Sequence, residues 1–365
     1  MKKNTTSVQS QPADISAFKT VAVDLAKRVF QVAVEDSSGQ VIYEDRIKSR
    51  AAFQAFLRLL PNCATVLVET GPGAQAWARL LQAQGNPVRI LPAQHVATHR
   101  SGPKNDRNDV LAILRSGRDR NISAVPVKSA AALAMQALHR ARMGYIRRRT
   151  AMGNQMRGLL LEHGVAMAQG EAAINRVIPQ ILEDACQPLP ELLRELIAEL
   201  LGEWNQLGER VKVLTGRLET AAQHDEAAKR LMTVRGIGPI IATAILAKQT
   251  EPKRFANARQ FAAYFGAVPK QHSSGEKVRL GKMSKNGDGY LRSLAIQGAH
   301  SVLRHVRPDS PLPDDRRLQR WISRLGRREA AVRLANRNLR IMWVLLQSEQ
   351  IYRREPNSRE ATMSQ

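Results

Sequence analysis

Four acids in this chain stand where a carboxylate can do chemistry. Asp24 closes the apolar run VAVD, Glu69 closes VLVE, and Asp106 and Asp109 lie three apart in PKNDRNDV. A carboxylate at the end of a buried strand emerges at the edge of an open α/β sheet, where such sheets place their sites. Side chains three apart on a helix share one side, with Cβ atoms about 5–6 Å apart. Four such acids converging on one spot repel one another. A pair about 5 Å apart, at an effective dielectric near 20, costs on the order of 3 kcal/mol. Either protons stay on or cations enter. Carboxylate oxygens are hard ligands that suit Mg²⁺ or Mn²⁺. Two such ions can activate an attacking oxygen and stabilise a leaving oxygen at a phosphodiester. Lys104 and Arg107, with Arg100 nearby, would then serve a nucleic-acid backbone. A structural reading competes with this: Asp106 caps a helix that begins near Arg107, and Asp109 completes its acidic first turn.

Two later stretches carry further chemistry. In LMTVRGIGPIIATAILAKQT, Gly236 and Gly238 flank Ile237 between apolar helical segments. Such a hairpin, similar to a helix–hairpin–helix, offers backbone N–H groups at a helix start that hold phosphate without reading sequence. Arg235, Gly236 and Gly238 are its candidate contacts; an ordinary helical turn is the alternative. No GxxxxGK[ST] loop occurs, and GEKVRLGKMS has the wrong spacing for one, so no ATP dependence is expected. The segment FGAVPKQHSSGEKVRLGKMSKNGDGYLR gathers Lys270, His272, Ser273, Ser274, Lys277, Arg279, Lys282 and Lys285 among Gly and Ser. From the residues alone it reads as a phosphate-gripping loop. A serine nucleophile is the sharper alternative, because the cations would stabilise the extra charge of a phosphoryl transition state.

The whole chain favours polyanions. It has 56 Lys+Arg against 32 Asp+Glu, a net charge of +24 and a pI near 10.9. Nucleic acid is the default partner for such a field, and its binding should weaken steeply with salt. Aromatics make up only 4%, so stacking on single-stranded bases should not dominate. No amphipathic anchor, lipidation motif or apolar run of about 18 residues points to a membrane. The polar start MKKNTTSVQSQPADIS lacks a signal core, which leads us to expect a cytoplasmic, nucleoid-associated protein with a disordered arm over residues 1–16. Cys63 and Cys186 form no metal signature and are expected to be small buried hydrophobes.

The elements that must position these residues follow from the hydrophobic pattern. TVAVDL, FQVAVED and VIYEDRI read as three strands, the last after an SSGQ turn. AAFQAFLRLL reads as a helix, ATVLVET as a buried strand, GAQAWARLLQAQG as a second helix and PVRILP as a short strand. Strands alternating with helices after an opening meander argue for a mixed α/β sheet domain over residues 17–125. A helical linker is expected over 126–228. It holds one long pattern through AALAMQALHRARMGYIRRRTAMGNQMRGLLLEHG and a second through LPELLRELIAELLGEWNQLGERVKVLTGRLETAAQ. In the second, Leu189, Leu192, Leu193, Leu196, Leu200, Trp204, Leu207, Val211, Leu214 and Leu218 recur at three- and four-residue steps. That is a coiled-coil or helical-hairpin seam, read as a spacer or dimerisation arm. Arg147, Arg148 and Arg149 form either a solvated face or a phosphate track. A compact helical region over 229–348 has Trp321, Leu325, Val332, Leu339, Met342 and Val344 as candidate core. Its candidate outward face is Arg316, Arg317, Arg320, Arg324, Arg327 and Arg328. A polar tail fills 349–365.

Taken in order, VAVDLAK, VLVETGPG, KNDRNDV, VRGIGPIIATAILA, RFANARQFAAYFGAVP and SSGEKVRLGKMSKNGDGYLR resemble insertion-sequence transposases of the IS110 type. These are the DEDD recombinases related to the Piv DNA invertase. The resemblance runs over residues 18–345, and its specificity lies in the co-occurrence of both halves' motifs. It implies an N-terminal RuvC-like, RNase H-type domain, a coiled-coil linker and a C-terminal transposase domain. It implies Asp24, Glu69, Asp106 and Asp109 as a metal-binding tetrad, and a nucleophilic serine just before a glycine, the place that Ser274 takes beside Ser273. It further implies a non-coding bridge RNA that pairs with donor and target double-stranded DNA. On this reading the carboxylates and the serine form a composite site shared between subunits, in a dimer that tetramerises on DNA. Two rivals remain at this level. One is a RuvC-like nuclease or junction resolvase that uses water. The other is a non-enzymatic DNA-binding protein whose acids are caps.

Overall fold

The structure is a computed structural model that describes residues 14–184, 189–248, 252–271, 279–348 and 350–352. The chain divides into two compact units, Met1–Ser129 and Ala130–Gln365. No helix among the described residues is long and apolar enough to cross a membrane.

The first unit is built on a five-stranded mixed sheet. β1 (Thr20–Leu25), β2 (Phe30–Glu35) and β3 (Val41–Ile47) form an antiparallel meander. After α1 (Arg50–Arg58), β4 (Thr65–Glu69) pairs parallel with β1. After α2 (Ala74–Ala83), β5 (Val88–Leu91) pairs parallel with β4, so the strand order is β3-β2-β1-β4-β5. A mixed sheet of this kind with helices on both faces is consistent with a RuvC-like domain. The alternation of β1 assigns its faces. Val21 and Val23 enter one core with Phe30, Phe53 and Trp77, under α1 and α2. Ala22 enters the other, with Leu67 and Leu91. α3 (Ala93–Thr98) and α4 (Asp106–Arg118) cover that second face through Val96, Val110, Ile113 and Leu114. The sequence pattern does not single out the six-residue α3. Cys63 departs from expectation: it is exposed, on the turn before β4. Cys186 lies outside the described residues.

The second unit is helical. α5 (Ala130–Glu162) packs against α7 (Glu191–Gln223), and α6 (Glu171–Glu183) closes a small core with both around Met156, Ile174, Ile178, Ile197 and Trp204. The leucine seam on α7 is corrected here. Leu193, Trp204 and Leu218 are buried, but Leu192 is 79% exposed and Leu196 is 39% exposed, while Ile197 is fully buried in their stead. Leucines fall on adjacent rows of this helix, and the positions of α5 and α6 select the row that packs. The arginine run also splits. Arg149 lies over the Trp204 ring, 3.7 Å from its centroid, and pairs with Glu171, whereas Arg147 and Arg148 are exposed.

A larger core joins α8 (Glu226–Met232), α9 (Pro239–Leu246) and α10 (Ala258–Tyr264) to three later helices. A two-stranded ribbon, β6 (Pro269–Gln271) with β7 (Leu280–Met283), precedes α11 (Gly289–Arg304), α12 (Pro313–Leu325) and α13 (Arg327–Gln347). The stretch from Asp314 to Leu346 is two helices, broken at Gly326, where φ is +80°. Leu339 and Met342 are buried as expected. Val344 is 49% exposed, and Leu334, Ala335 and Asn338 take the inward row.

One buried titratable group in this unit makes stability depend on pH. His139 on α5 accepts at Nδ1 from the Tyr290 hydroxyl, 2.9 Å away, and its Nε2 lies 3.1 Å from Thr243 Oγ1. Burial, with Arg142 adding in the same direction, pushes its imidazole down from 6.5 to about 4. The fold therefore holds the neutral ring, and the unfolded chain binds the proton more readily. Stability is intact above pH 6.5 and falls as pH drops toward 4, by on the order of 3 kcal/mol when fully expressed. In urea titrations, His139→Gln should show a flatter loss of stability between pH 7 and 4.5 than the unsubstituted protein. Parallel pH profiles for the two would remove His139 as the cause.

Candidate active site

The carboxylate end of the sheet is assembled by register. β1 and β4 run parallel with Val23 opposite Val68, so the next pair along is Asp24 and Glu69. They share the face of Ala22 and Leu67, because alternate residues of a strand point the same way. α4 lies on that face, and its first turn carries Asp106 and Asp109. Its far end is tied down by Arg118 on buried Glu35 and by Gly117, where a Cβ would stand 2.2 Å from Leu67 Cδ1. A side chain at position 117 would lift the helix from the sheet.

The cap of α4 decides between the two readings of PKNDRNDV as far as capping goes. Asn105 is the N-cap, its side chain accepting from the Asn108 N–H at 2.7 Å. Neither Asp106 nor Asp109 is spent on capping. Asn105→Ala should cost about 1 kcal/mol in urea unfolding of this unit, and should raise amide exchange in the first turn of α4. Unchanged exchange at Arg107 to Asp109 would mean the cap does not hold the acids in place.

The four acids feel one another. Burial raises the Asp24 carboxyl above its ordinary range, and Asp109 and Asp106 push it further the same way. Burial, then Asp24 and Asp109, likewise raise Glu69, with Arg100 and Lys104 opposing. Two arginines answer part of this charge. Arg100 Nε lies 2.5 Å from Asp109 Oδ1, and Arg46 reaches Asp106 at 3.3 Å. The Arg100 contact lacks hydrogen-bond geometry, so Asp109 Oδ1 is a buried oxygen without a hydrogen-bond donor. Arg107 is directed away from the acids, in a two-pronged pair with Glu44 on β3 at 2.6 and 2.8 Å. Lys104 is exposed beside the site. Arg46 and Glu44 escape a sequence reading, because nothing in VIYEDRI marks them as neighbours of a helix sixty residues on. Asn105, just before the first helical residue, was findable as a cap.

The other candidates lie in the second unit. Arg235 pairs with Asp315, which also accepts from the Ser310 hydroxyl, and the Arg235 carbonyl accepts from Asn338. Gly236 packs on Gly298 of α11, and Gly238 caps α9 with open space beside it. Arg279, Lys282 and Lys285 are exposed just before, in and after β7. Ser273, Ser274 and Lys277 fall on the β6–β7 connection and lie outside the described residues.

A transposase model of the DEDD IS110 type matches residues 21–164, the stretch that holds all four acids. A second, described as the transposase IS116/IS110/IS902 family, matches residues 228–312. A probable family 20 transposase of Pseudomonas aeruginosa is 40% identical over 338 residues, covering 91% of this chain and 98% of that protein. The chain belongs to the IS116/IS110/IS902 family of transposases. The transposase for insertion sequence element IS1111A of Coxiella burnetii is 34% identical, covering 92% of this chain and 91% of its own length. The transposase for element IS1328 of Yersinia enterocolitica is 32% identical, covering 89% and 96%. This IS110-type transposase is thus an enzyme of DNA transposition, cleaving and rejoining DNA strands.

DEDD transposases typically use a divalent metal, and the residues here suit one in kind. The donors are hard oxygens, two of them are raised by burial and then by the neighbouring acids, and Asp109 Oδ1 is buried without a donor. As the side chains stand, no three His, Cys, Asp or Glu among the described residues converge closely enough to grip an ion. Arg100 and Arg46 lie on Asp109 and Asp106 instead.

Proposed function

We propose that this transposase cleaves and rejoins DNA through Asp24, Glu69, Asp106 and Asp109, acting with Ser274 as nucleophile. The observation that carries the carboxylate half is the in-register placement of Asp24 and Glu69 on adjacent parallel strands, under the uncapped acids of α4. The four carboxylates would hold Mg²⁺ or Mn²⁺, with Arg100 displaced from Asp109. The chemistry that the bound ion supplies is stabilisation of charge on the phosphoryl oxygens. Lys104 steers the phosphate backbone toward these acids.

Ser274 Oγ attacks phosphorus and loses its proton as the Oγ–P bond forms. The bridging P–O bond of the DNA breaks, and the released DNA oxygen takes up a proton. The resulting ester conserves the bond energy, so a second DNA hydroxyl can displace Ser274 without ATP. Lys277, Arg279, Lys282 and Lys285 neutralise the phosphate at that step. Gly236 and Gly238, at the α8–α9 turn, hold the backbone further along. Target choice is delegated to a bridge RNA, a reading supported by the charge of +24 and the family resemblance. The acids and the serine belong to separate compact units, which supports a composite site shared between subunits of a dimer that forms a tetramer on DNA.

Denaturing gels test the serine. DNA should stay attached to the protein, and the adduct should vanish in Ser274→Ala and persist in Ser273→Ala. The reverse pattern would move the nucleophile by one residue. Absence of any adduct in the unsubstituted protein, with cleavage retained, would favour water as the attacking group.

A further inference from the structure

The second unit holds a cavity that the transposition chemistry leaves unused. It lies between α5, α9 and the start of α11 and has a volume of about 380 Å³, within the range of small-molecule sites. Its base is a fixed polar relay. The Thr243 hydroxyl donates to the Pro239 carbonyl at 2.7 Å, and the network assigns the His139 proton to Nε2, facing Thr243 Oγ1. Tyr290 then donates to His139 Nδ1, which fixes the phenol ring in the wall. Met143, Ala244 and Leu291 make the rest of the wall apolar.

The rim is cationic. Arg140 and Arg147 flank Gly144 at i, i+4 and i+7 on one face of α5. Both are exposed, and neither has an acidic partner among the described residues. Lys248 adds a third positive charge, offset by Asp288 at 2.5 Å. Gly144 keeps the entrance clear: a Cβ built there meets nothing within 4 Å. An apolar slot with an aromatic wall, a buried polar base and two free guanidiniums at its mouth matches one chemical class. That class is a flat heteroaromatic ring attached to a phosphate. Guanidinium groups pair with phosphate through two parallel N–H bonds. Enzymes acting on nucleic acid accept unstacked bases in pockets of this kind.

We propose that this cavity receives one unstacked nucleotide of the bound nucleic acid. Its base lies against Tyr290, Met143 and Leu291, and its phosphate lies between Arg140 and Arg147. The proposal rests on the nucleic-acid binding of a transposase and on neither the carboxylates nor Ser274.

The test uses the full chain in EDTA, so that failure of the metal or serine reading leaves it unaffected. The probes are 2-aminopurine deoxynucleoside 5′-monophosphate and short single strands of DNA and RNA carrying one 2-aminopurine, read by fluorescence titration. Binding should be saturable, and about tenfold weaker for Gly144→Leu, which fills the slot with a better helix former, and for Arg140→Ala/Arg147→Ala. Arg333→Ala/Arg340→Ala, on α13, should bind as before. Comparison of the DNA and RNA strands then says which nucleic acid supplies the nucleotide. Three results overturn the proposal. They are no binding of the monophosphate, undiminished binding by a folded Gly144→Leu or Gly144→Ala/Met143→Phe variant, and inorganic phosphate competing fully while 2-aminopurine fluorescence stays unchanged.

Discussion

Asp24→Asn is expected to lower DNA strand cleavage at least about 10²–10³-fold while making the protein more stable. Both effects have one cause. Asp24 is half-buried beside Glu69, Asp106 and Asp109, and burial and repulsion hold its carboxyl above the ordinary range. A group whose folded value is raised stabilises the fold when protonated. That stability is present below the ordinary aspartate value and is lost as pH rises through the folded value. At neutral pH the charged site is therefore a strain on the fold, of the kind that functional sites commonly retain. Asparagine removes the charge and keeps the shape. In EDTA at pH 7, the variant should melt about 2–4 °C above the unsubstituted protein. Excess Mg²⁺ should raise the melting temperature of the unsubstituted protein and close that gap, because the ion answers the same repulsion. A variant that cleaves normally, or that melts lower in EDTA, would remove Asp24 from the cluster.

Gly298→Ala is expected to destabilise the second unit by on the order of 2–4 kcal/mol. Ordinarily the change favours a helix by about 1 kcal/mol. Here a Cβ at Gly298 would stand 2.1 Å from the Gly236 carbonyl oxygen and 2.8 Å from Ile241 Cδ1. The first of these is backbone and cannot rotate away. From the other side, Gly236 sits at φ +92°, and its own Cβ would meet Val302 and the Gly298 carbonyl. The two glycines let α11 touch the α8–α9 turn. Separating them also pulls Arg235 away from Asp315. Gly158→Ala and Gly202→Ala, where a Cβ meets nothing within 4 Å, should instead gain about 0.5–1 kcal/mol. Urea unfolding of the three variants separates the contact from the propensity. Equal gains in all three would mean that α11 and the turn do not touch.

Much of the site was legible before any fold. VAVD and VLVE read as strands ending in acids, and those strands are β1 and β4 with the expected bounds, to within a residue. Period-two alternation places Asp24 on the face of Ala22, whatever the strand's neighbours. Local chemistry also marked the turn at Gly236 and the helix that starts at PKNDRNDV. The competing structural reading put its cap at Asp106, and the cap is Asn105; both are good caps and only the backbone angles choose. The charge of +24 and the absence of a nucleotide loop are likewise properties of the sequence alone.

The tertiary structure decided what depends on partners distant in the chain. Alternation names a face and never a neighbour, so only the parallel pairing of β1 with β4 sets Asp24 beside Glu69. Arg107 was read as a phosphate guide but is paired with Glu44, and Arg235 is spent on Asp315. A cation's partner is a matter of packing, and composition cannot foresee it. On α7 the leucines fall in two adjacent rows, and α5 and α6 together chose the row of Leu193 and Ile197 over that of Leu192 and Leu196. The nucleotide-sized cavity is the clearest case. Arg140, Gly144 and Arg147 are legible as one helical face, but a void is formed by what fails to fill it, and α9 and α11 supply those walls from a hundred residues away.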